Sequence, residues 1–158
     1  MYGCLGSNLV EHWLAQSHRI LVIDNFATGK REVVPNVPGL SVREGSIADD
    51  ALVNECFAEF RPEVVVHSAA AYKDPDDWIE DSRTNVIGSI HVARAAKAHE
   101  VKRLVNFQTA LCYGRPQQLP IPASHPTAPF TSYGISKTAG EQFLLLSGVP
   151  ALSLRIAN

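Results

Sequence analysis

Long apolar runs, blocks of one charge sign and paired cysteines are all lacking in this chain of 158 residues. No apolar run is long enough to cross a bilayer, and the first residues lack the pattern of a signal peptide. The 14 basic and 16 acidic residues are interspersed, which argues against a nucleic-acid or membrane partner. Cys4, Cys56 and Cys112 are too widely spaced for a zinc site or a disulfide framework. We therefore expect a globular, cytoplasmic protein without a metal site.

Short apolar runs alternate with segments of helical periodicity along the whole chain. The predicted strands are Ile20–Ile23, Leu40–Arg43, Val64–Val66, Arg103–Gln108 and Ala151–Ile156. The predicted helices are Ser7–Ser17, Asp49–Phe60, Asp76–Ala98 and Ser132–Leu146. Strict alternation of this kind predicts an α/β fold, a Rossmann-like, doubly wound parallel sheet with helices on both faces.

The chain begins inside a glycine turn and ends directly after a strand. Gly3-x-x-Gly6 precedes a helix, but no strand precedes the turn. In the strand order 3-2-1-4-5-6 the first strand is central, so we expect a gap between Ile20–Ile23 and Val64–Val66. We expect residues 1–158 to be one partial cofactor domain, cut at both ends, without a substrate domain.

A glycine turn and an acidic residue together indicate a dinucleotide site. Gly3 and Gly6 match the last part of G-x-x-G-x-x-G, in which backbone and helix N-terminus approach a pyrophosphate. Asp24 stands at the end of the next predicted strand, about 20 residues further on, where a carboxylate accepts hydrogen bonds from the adenosine ribose. Its charge would repel a 2′-phosphate, so the pattern favours NAD over NADP. A solvated turn aspartate is the alternative.

Tyr133 and Lys137 are four residues apart on a predicted helix, with Thr109 upstream. This spacing places both side chains on one helix face, one turn apart. An ammonium beside a phenol favours the phenolate, so we expect a lowered pKa for Tyr133. A hydroxyl such as that of Thr109 then holds a substrate oxygen. These three residues predict proton transfer at a carbinol. His67 ends a predicted buried strand, and a packed or hydrogen-bonded histidine is the expectation there.

The chain resembles the extended short-chain dehydrogenase/reductases, and within them the NAD-dependent epimerase/dehydratase group. Any one motif is weak, but the set follows the order of that family. The matching motifs are Gly3-x-x-Gly6, Asp24-Asn25-Phe26 with Gly29-Lys30, Gly45-Ser46-Ile47, His67-Ser68-Ala69-Ala70, Thr84-Asn85-Val86 with Gly88, Phe107-Gln108-Thr109-Ala110-Leu111-Cys112-Tyr113-Gly114, Tyr133-x-x-x-Lys137 and Leu154-Arg155-Ile156-Ala157-Asn158.

The resemblance implies a role for each matching residue. Thr109, Tyr133 and Lys137 would be catalytic, with Lys137 and Tyr133 also contacting the cofactor. The other implied NAD contacts are Gly3, Gly6, Asp24, Asn25, Ser46, Ile47, Ala69 and Ala70. Asn85 would brace the active-site strand, and Lys73 would reach a phosphate. A nucleotide sugar would be oxidised to a keto-sugar and reduced again, as in a UDP-glucose 4-epimerase. The helices Asp76–Ala98 and Ser132–Leu146 would pair in a homodimer.

Alternatives within and outside the enzyme class stay open. Sugar dehydratases of the family carry an Asp-Glu pair after the active-site threonine, where this chain has Ala110 and Leu111, so dehydration is disfavoured. Packing is favoured over catalysis for Cys112. A simple NAD-dependent alcohol/ketone oxidoreductase is a second enzyme hypothesis. A non-catalytic NAD-binding module and an inactive fragment are the others.

Overall fold

The computed structural model describes residues 3–156, which form parallel strands flanked by helices. The helices are α1 (Cys4–Ala15), α2 (Asp50–Phe60), α3 (Trp78–Asp81), α4 (Ser89–Ala98) and α5 (Ser132–Leu146), with a π-helical segment at Ser82–Gly88. The strands are β1 (Ile20–Asp24), β2 (Leu40–Glu44), β3 (Val64–His67), β4 (Arg103–Thr109) and β5 (Ala151–Ile156). Short 3₁₀ turns cover Arg31–Val33 and Ala110–Tyr113.

The strands form two parallel sheets rather than one. β1 pairs with β2, and β3, β4 and β5 pair in that order. Among residues 3–156 no strand lies between β1 and β3, and the space between them is a cavity of about 660 Å³ lined by both strands. The predicted gap at the centre of the doubly wound order is confirmed. An interruption of this kind creates strand edges that an intact sheet would pair.

Helices cover both faces of the strands. Neighbouring residues of a strand point to opposite faces, so they pack in different clusters. Val22 packs in a small cluster with Val10 of α1, whereas Ile23 packs against a larger cluster. The larger cluster is built from α2, α4 and α5 over β3 and β4, and Phe57, Val92 and Leu144 lie within it. The core thus holds β4 against the helix that carries Tyr133.

Two predicted helices differ from the observed ones. α1 begins at Cys4, three residues before the predicted start. The predicted helix Asp76–Ala98 begins later, at Trp78, and is broken by the π segment. At the end of this segment the backbone lies close to Ile47, because a Cβ at Gly88 would lie 2.6 Å from Ile47 Cδ1. Wider turns of this kind are frequent at functional sites.

Candidate active site

The carboxyl ends of the strands meet at one cavity of about 580 Å³. It is lined at one end by α1 and β1, and at the other by β4 and α5. A concave site of this volume is in the range that binds small molecules and cofactors. The lining includes every residue that the resemblance places in the catalytic or NAD-binding set, namely Gly3, Gly6, Asp24, Asn25, Ser46, Ile47, Ala69, Ala70, Thr109, Tyr133 and Lys137.

The α1 end of the cavity is suited to an anion next to a ribose. α1 begins at Cys4 after the extended Gly3, and no acidic residue lies in its first turn, so its free N–H groups attract negative charge. Asp24 ends β1, is buried and accepts a hydrogen bond from the Phe26 N–H at 2.7 Å. Ala69 and Ala70 have small side chains that leave room for close approach. Lys73 donates to the Ala27 carbonyl at 2.8 Å, and both residues line the cavity.

The other end of the cavity carries the acid-base residues. Thr109 ends β4, and its Oγ1 accepts a hydrogen bond from the Leu111 N–H at 3.2 Å. That contact uses a lone pair, so the Thr109 O–H remains able to donate to a substrate oxygen. Tyr133 and Lys137 lie one turn apart on α5, which begins at the Thr131 cap. The structure therefore brings together the three residues that the sequence predicts to be catalytic.

Electrostatics at this end differ from the sequence expectation. Burial lowers the pKa of Lys137 to about 8, with Glu141 acting in the opposite direction. The pKa of Tyr133 is raised, first by burial and then by Tyr72 and Asp81. The expected lowering of the Tyr133 pKa by Lys137 is thus wrong for the protein without ligands. The phenol keeps its proton at neutral pH, and the sequence spacing did not reveal the two groups that hold it there.

Asp81 is a contributor to the site that sequence reasoning missed. It lies at the end of α3, lines the cavity and is buried, and its Oδ2 has no hydrogen-bond partner among residues 3–156. An unpaired buried carboxylate disfavours a second negative charge nearby, which is why it opposes ionisation of Tyr133. The signal for Asp81 in the sequence is weak, because several acidic residues precede it.

A buried hydrogen-bond network holds α5 against the loop after β3. The Asn85 carboxamide accepts from the Ala71 N–H at 2.8 Å and donates to the Ala71 carbonyl at 3.0 Å and to Ser136 Oγ at 3.0 Å. The expectation that Asn85 braces the active-site strand is wrong in detail, because its partners lie on the loop and on α5. Ser89 Oγ donates to the Asn85 carbonyl at 2.6 Å and lies 2.9 Å from His67 Nε2.

The remaining candidates have structural environments. His67 is buried, and burial together with the Lys137 charge lowers its pKa to about 3, so it is neutral. Cys112 is buried away from the cavity, and burial raises the pKa of its thiol. Both observations agree with the packing roles predicted for these two residues. Within residues 3–156, no group of three or more potential metal ligands is found, and no helix is long and apolar enough to cross a membrane.

The family model described as NAD dependent epimerase/dehydratase matches residues 1–158. The chain belongs to this family. Among curated relatives, the UDP-glucose 4-epimerase of Halalkalibacterium halodurans is 34% identical over 146 residues, which is 89% of this chain and 42% of that protein. The UDP-glucose 4-epimerase of Corynebacterium glutamicum is 34% identical over 166 residues, which is 99% of this chain and 48% of that protein.

Solved structures of family members agree with the fold. The Bordetella bronchiseptica enzyme WbmG, crystallised with NAD and UDP, is 71% identical and has a TM-score of 0.97 over 99% of this chain and 51% of its own. WbmH from the same organism, crystallised with NAD⁺, is 48% identical with a TM-score of 0.96, over 99% of this chain and 53% of its own. The chain spans about half the length of the relatives that it matches.

Proposed function

We propose that this chain is the NAD-binding half of a nucleotide-sugar epimerase of the UDP-glucose 4-epimerase kind. One observation carries the proposal: a single cavity holds a dinucleotide-type end, with Gly3 and Asp24, and an acid-base end, with Thr109, Tyr133 and Lys137. The curated relatives named above, which are called UDP-glucose 4-epimerases, support the same reaction.

The residues of the cavity fit NAD. The Asp24 carboxylate and Asn25 are suited to the adenosine ribose, Ser46 and Ile47 to the adenine, and the α1 N-terminus to the pyrophosphate. When bound, NAD supplies the acceptor for the hydrogen that leaves the sugar carbon and returns it in the second half of the cycle. Asp24 excludes a 2′-phosphate by charge, so NAD rather than NADP is the cofactor that this end of the cavity selects.

The acid-base residues then move one proton on and off the sugar hydroxyl. Tyr133 accepts the hydroxyl proton as a phenolate and returns it as a phenol, while Thr109 donates a hydrogen bond to the reacting oxygen. Lys137, with a pKa of about 8, is mostly an ammonium at neutral pH. An ammonium charge favours a nearby phenolate, whereas burial, Tyr72 and Asp81 favour the phenol and outweigh that charge in the structure. A phenol poised between these influences suits a reaction that runs in both directions.

The test measures epimerisation of UDP-glucose with NAD, following both product and NADH. An epimerase yields the 4-epimer without net NADH, whereas a simple oxidoreductase of the family accumulates NADH and a dehydratase forms a 4-keto-6-deoxy sugar. Tyr133→Phe removes the phenol and is expected to lower kcat by about 10²–10⁴-fold. Tyr113→Phe is the matched control, because Tyr113 is buried outside the cavity beside Arg155. Net NADH formation, or equal loss in both variants, contradicts the proposal.

NAD binding is a simpler test that also separates the non-catalytic hypotheses. NAD at 100 times its Kd would stabilise the fold by about 2.7 kcal/mol, which raises Tm by about 5–11 °C for a chain of this size. NADP is expected to give a smaller shift because of Asp24. A shift of Tm with NAD but no epimerisation would favour the hypothesis of a non-catalytic NAD-binding module. No shift of Tm with either cofactor would favour the hypothesis of an inactive fragment.

We also propose that the protein forms a homodimer through α5 and the helical stretch from α3 to α4. Both expose large apolar side chains to solvent, among them Ile79 and Ile87 on the first and Phe143 and Leu146 on α5. Apolar side chains of this size are commonly covered by a second copy in helical dimers. Light scattering is expected to show a dimer that Leu146→Glu weakens. A stable monomer would contradict the proposal.

A further inference from the structure

Gln108 lies between two of the residues to which we assign catalysis. It precedes Thr109 in β4, is buried and lines the cavity. Its side-chain carboxamide makes two hydrogen bonds: Oε1 accepts from the Thr109 N–H at 2.8 Å, and Nε2 donates to the Lys137 carbonyl at 3.0 Å. One partner is a donor and the other an acceptor, so a single orientation of the amide satisfies both. The same side chain thus contacts β4 and α5.

Gln108 acts where the sheet no longer supports β4 on one side. The pairing of β3 with β4 ends at His67 and Asn106, so Gln108 and Thr109 extend beyond it. Pairing with β5 continues to Thr109 and Ile156. Among residues 3–156, the bond from Gln108 to Lys137 is the only side-chain hydrogen bond between β4 and α5. The direct contact between β4 and α5 therefore combines this amide bond with apolar packing, which is less directional.

We propose that Gln108 is a positioning residue that fixes β4, with Thr109, relative to α5, with Tyr133 and Lys137. This inference rests on the proposed function, because it assumes that these three residues act together. A buried amide with both bonds made holds its neighbours in one arrangement, and its loss leaves a donor and an acceptor unpaired. Catalytic groups displaced by about 1 Å can lose about 100-fold in rate, so a modest slip of α5 along β4 is enough.

The test compares Gln108→Met with Asn106→Leu. Each substitution replaces a buried amide of β4 by an apolar side chain of similar size. Asn106 is the matched control, because it donates to Ser153 Oγ of β5 at 3.1 Å and contacts no catalytic residue through that bond. Both variants are expected to lower Tm by a similar amount. Gln108→Met alone is expected to lower kcat by at least about tenfold, with KM for the sugar nucleotide changed by less than about twofold.

Gln108→Glu separates the two bonds of the amide. An ionised carboxylate still accepts from the Thr109 N–H but no longer donates to the Lys137 carbonyl. We expect the kcat of this variant to be as low as that of Gln108→Met, because the contact with α5 is the one that is lost. Wild-type kcat in Gln108→Glu, or equal kcat and KM in Gln108→Met and Asn106→Leu, would overturn the proposal.

A second readout requires no turnover. The pH dependence of Lys137 acylation by a small reagent, followed by mass spectrometry, reports the ionisation of its ammonium, which faces Glu141 on α5 and His67 on β3. If α5 slips from β4, water reaches Lys137, and its pKa rises from about 8 toward the ordinary value of lysine. Gln108→Met is expected to show this change and Asn106→Leu is not. The same acylation profile in both refutes the role of Gln108, whereas an inactive wild-type protein with the expected profile refutes only the proposed function.

Discussion

Acidification is expected to destabilise the fold through His67. Its ring is buried at the end of β3, and Nε2 lies 2.9 Å from Ser89 Oγ. Since the Ser89 hydroxyl hydrogen is directed to the Asn85 carbonyl, His67 must donate from Nε2 as a neutral imidazole. A charged imidazolium in this position would lose its solvation and face the Lys137 ammonium, which is why the pKa of His67 is lowered to about 3.

The direction and size of the effect follow from proton linkage. The unfolded chain binds a proton at His67 with a pKa near 6.5, and the folded chain binds it with a pKa of about 3. The unfolded state therefore holds more protons between these values, and stability falls as the pH drops below about 6.5. One pKa unit corresponds to about 1.4 kcal/mol, so lowering the pH from 7.5 to 5 removes about 2 kcal/mol. For a chain of this length that lowers Tm by about 4–8 °C.

The assay is urea unfolding at both pH values, followed by circular dichroism. His67→Gln retains a side chain that can bond Ser89 but does not titrate, so its stability is expected to change about 2 kcal/mol less than that of the wild type. His18→Gln is the control, because His18 is exposed, and it should keep the wild-type pH dependence. The reasoning fails if His67→Gln responds to pH as strongly as the wild type.

Two further predictions concern packing and cofactor choice. A Cβ at Gly140 would overlap the Asn85 carbonyl, so Gly140→Ala should push α5 from the π segment, cost about 1–3 kcal/mol and weaken NAD binding. Gly148→Ala meets no atom within 4 Å but has a φ of +82°, so it should cost about 1 kcal/mol and leave NAD binding unchanged. Asp24→Asn should weaken NAD binding about 10- to 100-fold and spare NADP. Glu44→Gln makes the same charge change at the β2 residue that pairs with Asp24 but lies outside the cavity, and it should leave the binding of NAD and of NADP unchanged. Titrations of Tm with each cofactor measure all four variants, and equal responses within either pair would contradict the corresponding prediction.

The hydrophobic periodicity of the sequence and the polar residues between apolar runs were enough to predict most of the fold. The apolar runs that became β1, β3, β4 and β5 are short and bounded by polar residues, a pattern typical of strands in a parallel sheet. The gap between β1 and β3 followed from the order of a doubly wound sheet. The π segment was not predicted, and its close contacts, such as that of Gly88 with Ile47, join residues that are far apart in the sequence.

The sequence predicted which residues line the candidate site but not the direction in which the pKa of Tyr133 is shifted. Motif order placed Asp24 and Thr109 at the carboxyl ends of two strands and Tyr133 and Lys137 near the start of a helix, and all four line one cavity. The direction of the Tyr133 pKa was wrong because the sequence shows Lys137 four residues away, but shows neither the burial of the phenol nor the approach of Asp81.

Spacing along the chain therefore determined which residues share a helix face or a strand end, because these relations are set by the local backbone. Only the tertiary structure decided which groups lose water and which distant groups face each other. Gln108 illustrates the difference: its bond to the adjacent Thr109 is local, whereas its bond to Lys137 joins residues 29 positions apart. Ionisation and positioning in this site depend on such long-range contacts, because desolvation and Coulomb interactions act through space rather than along the sequence.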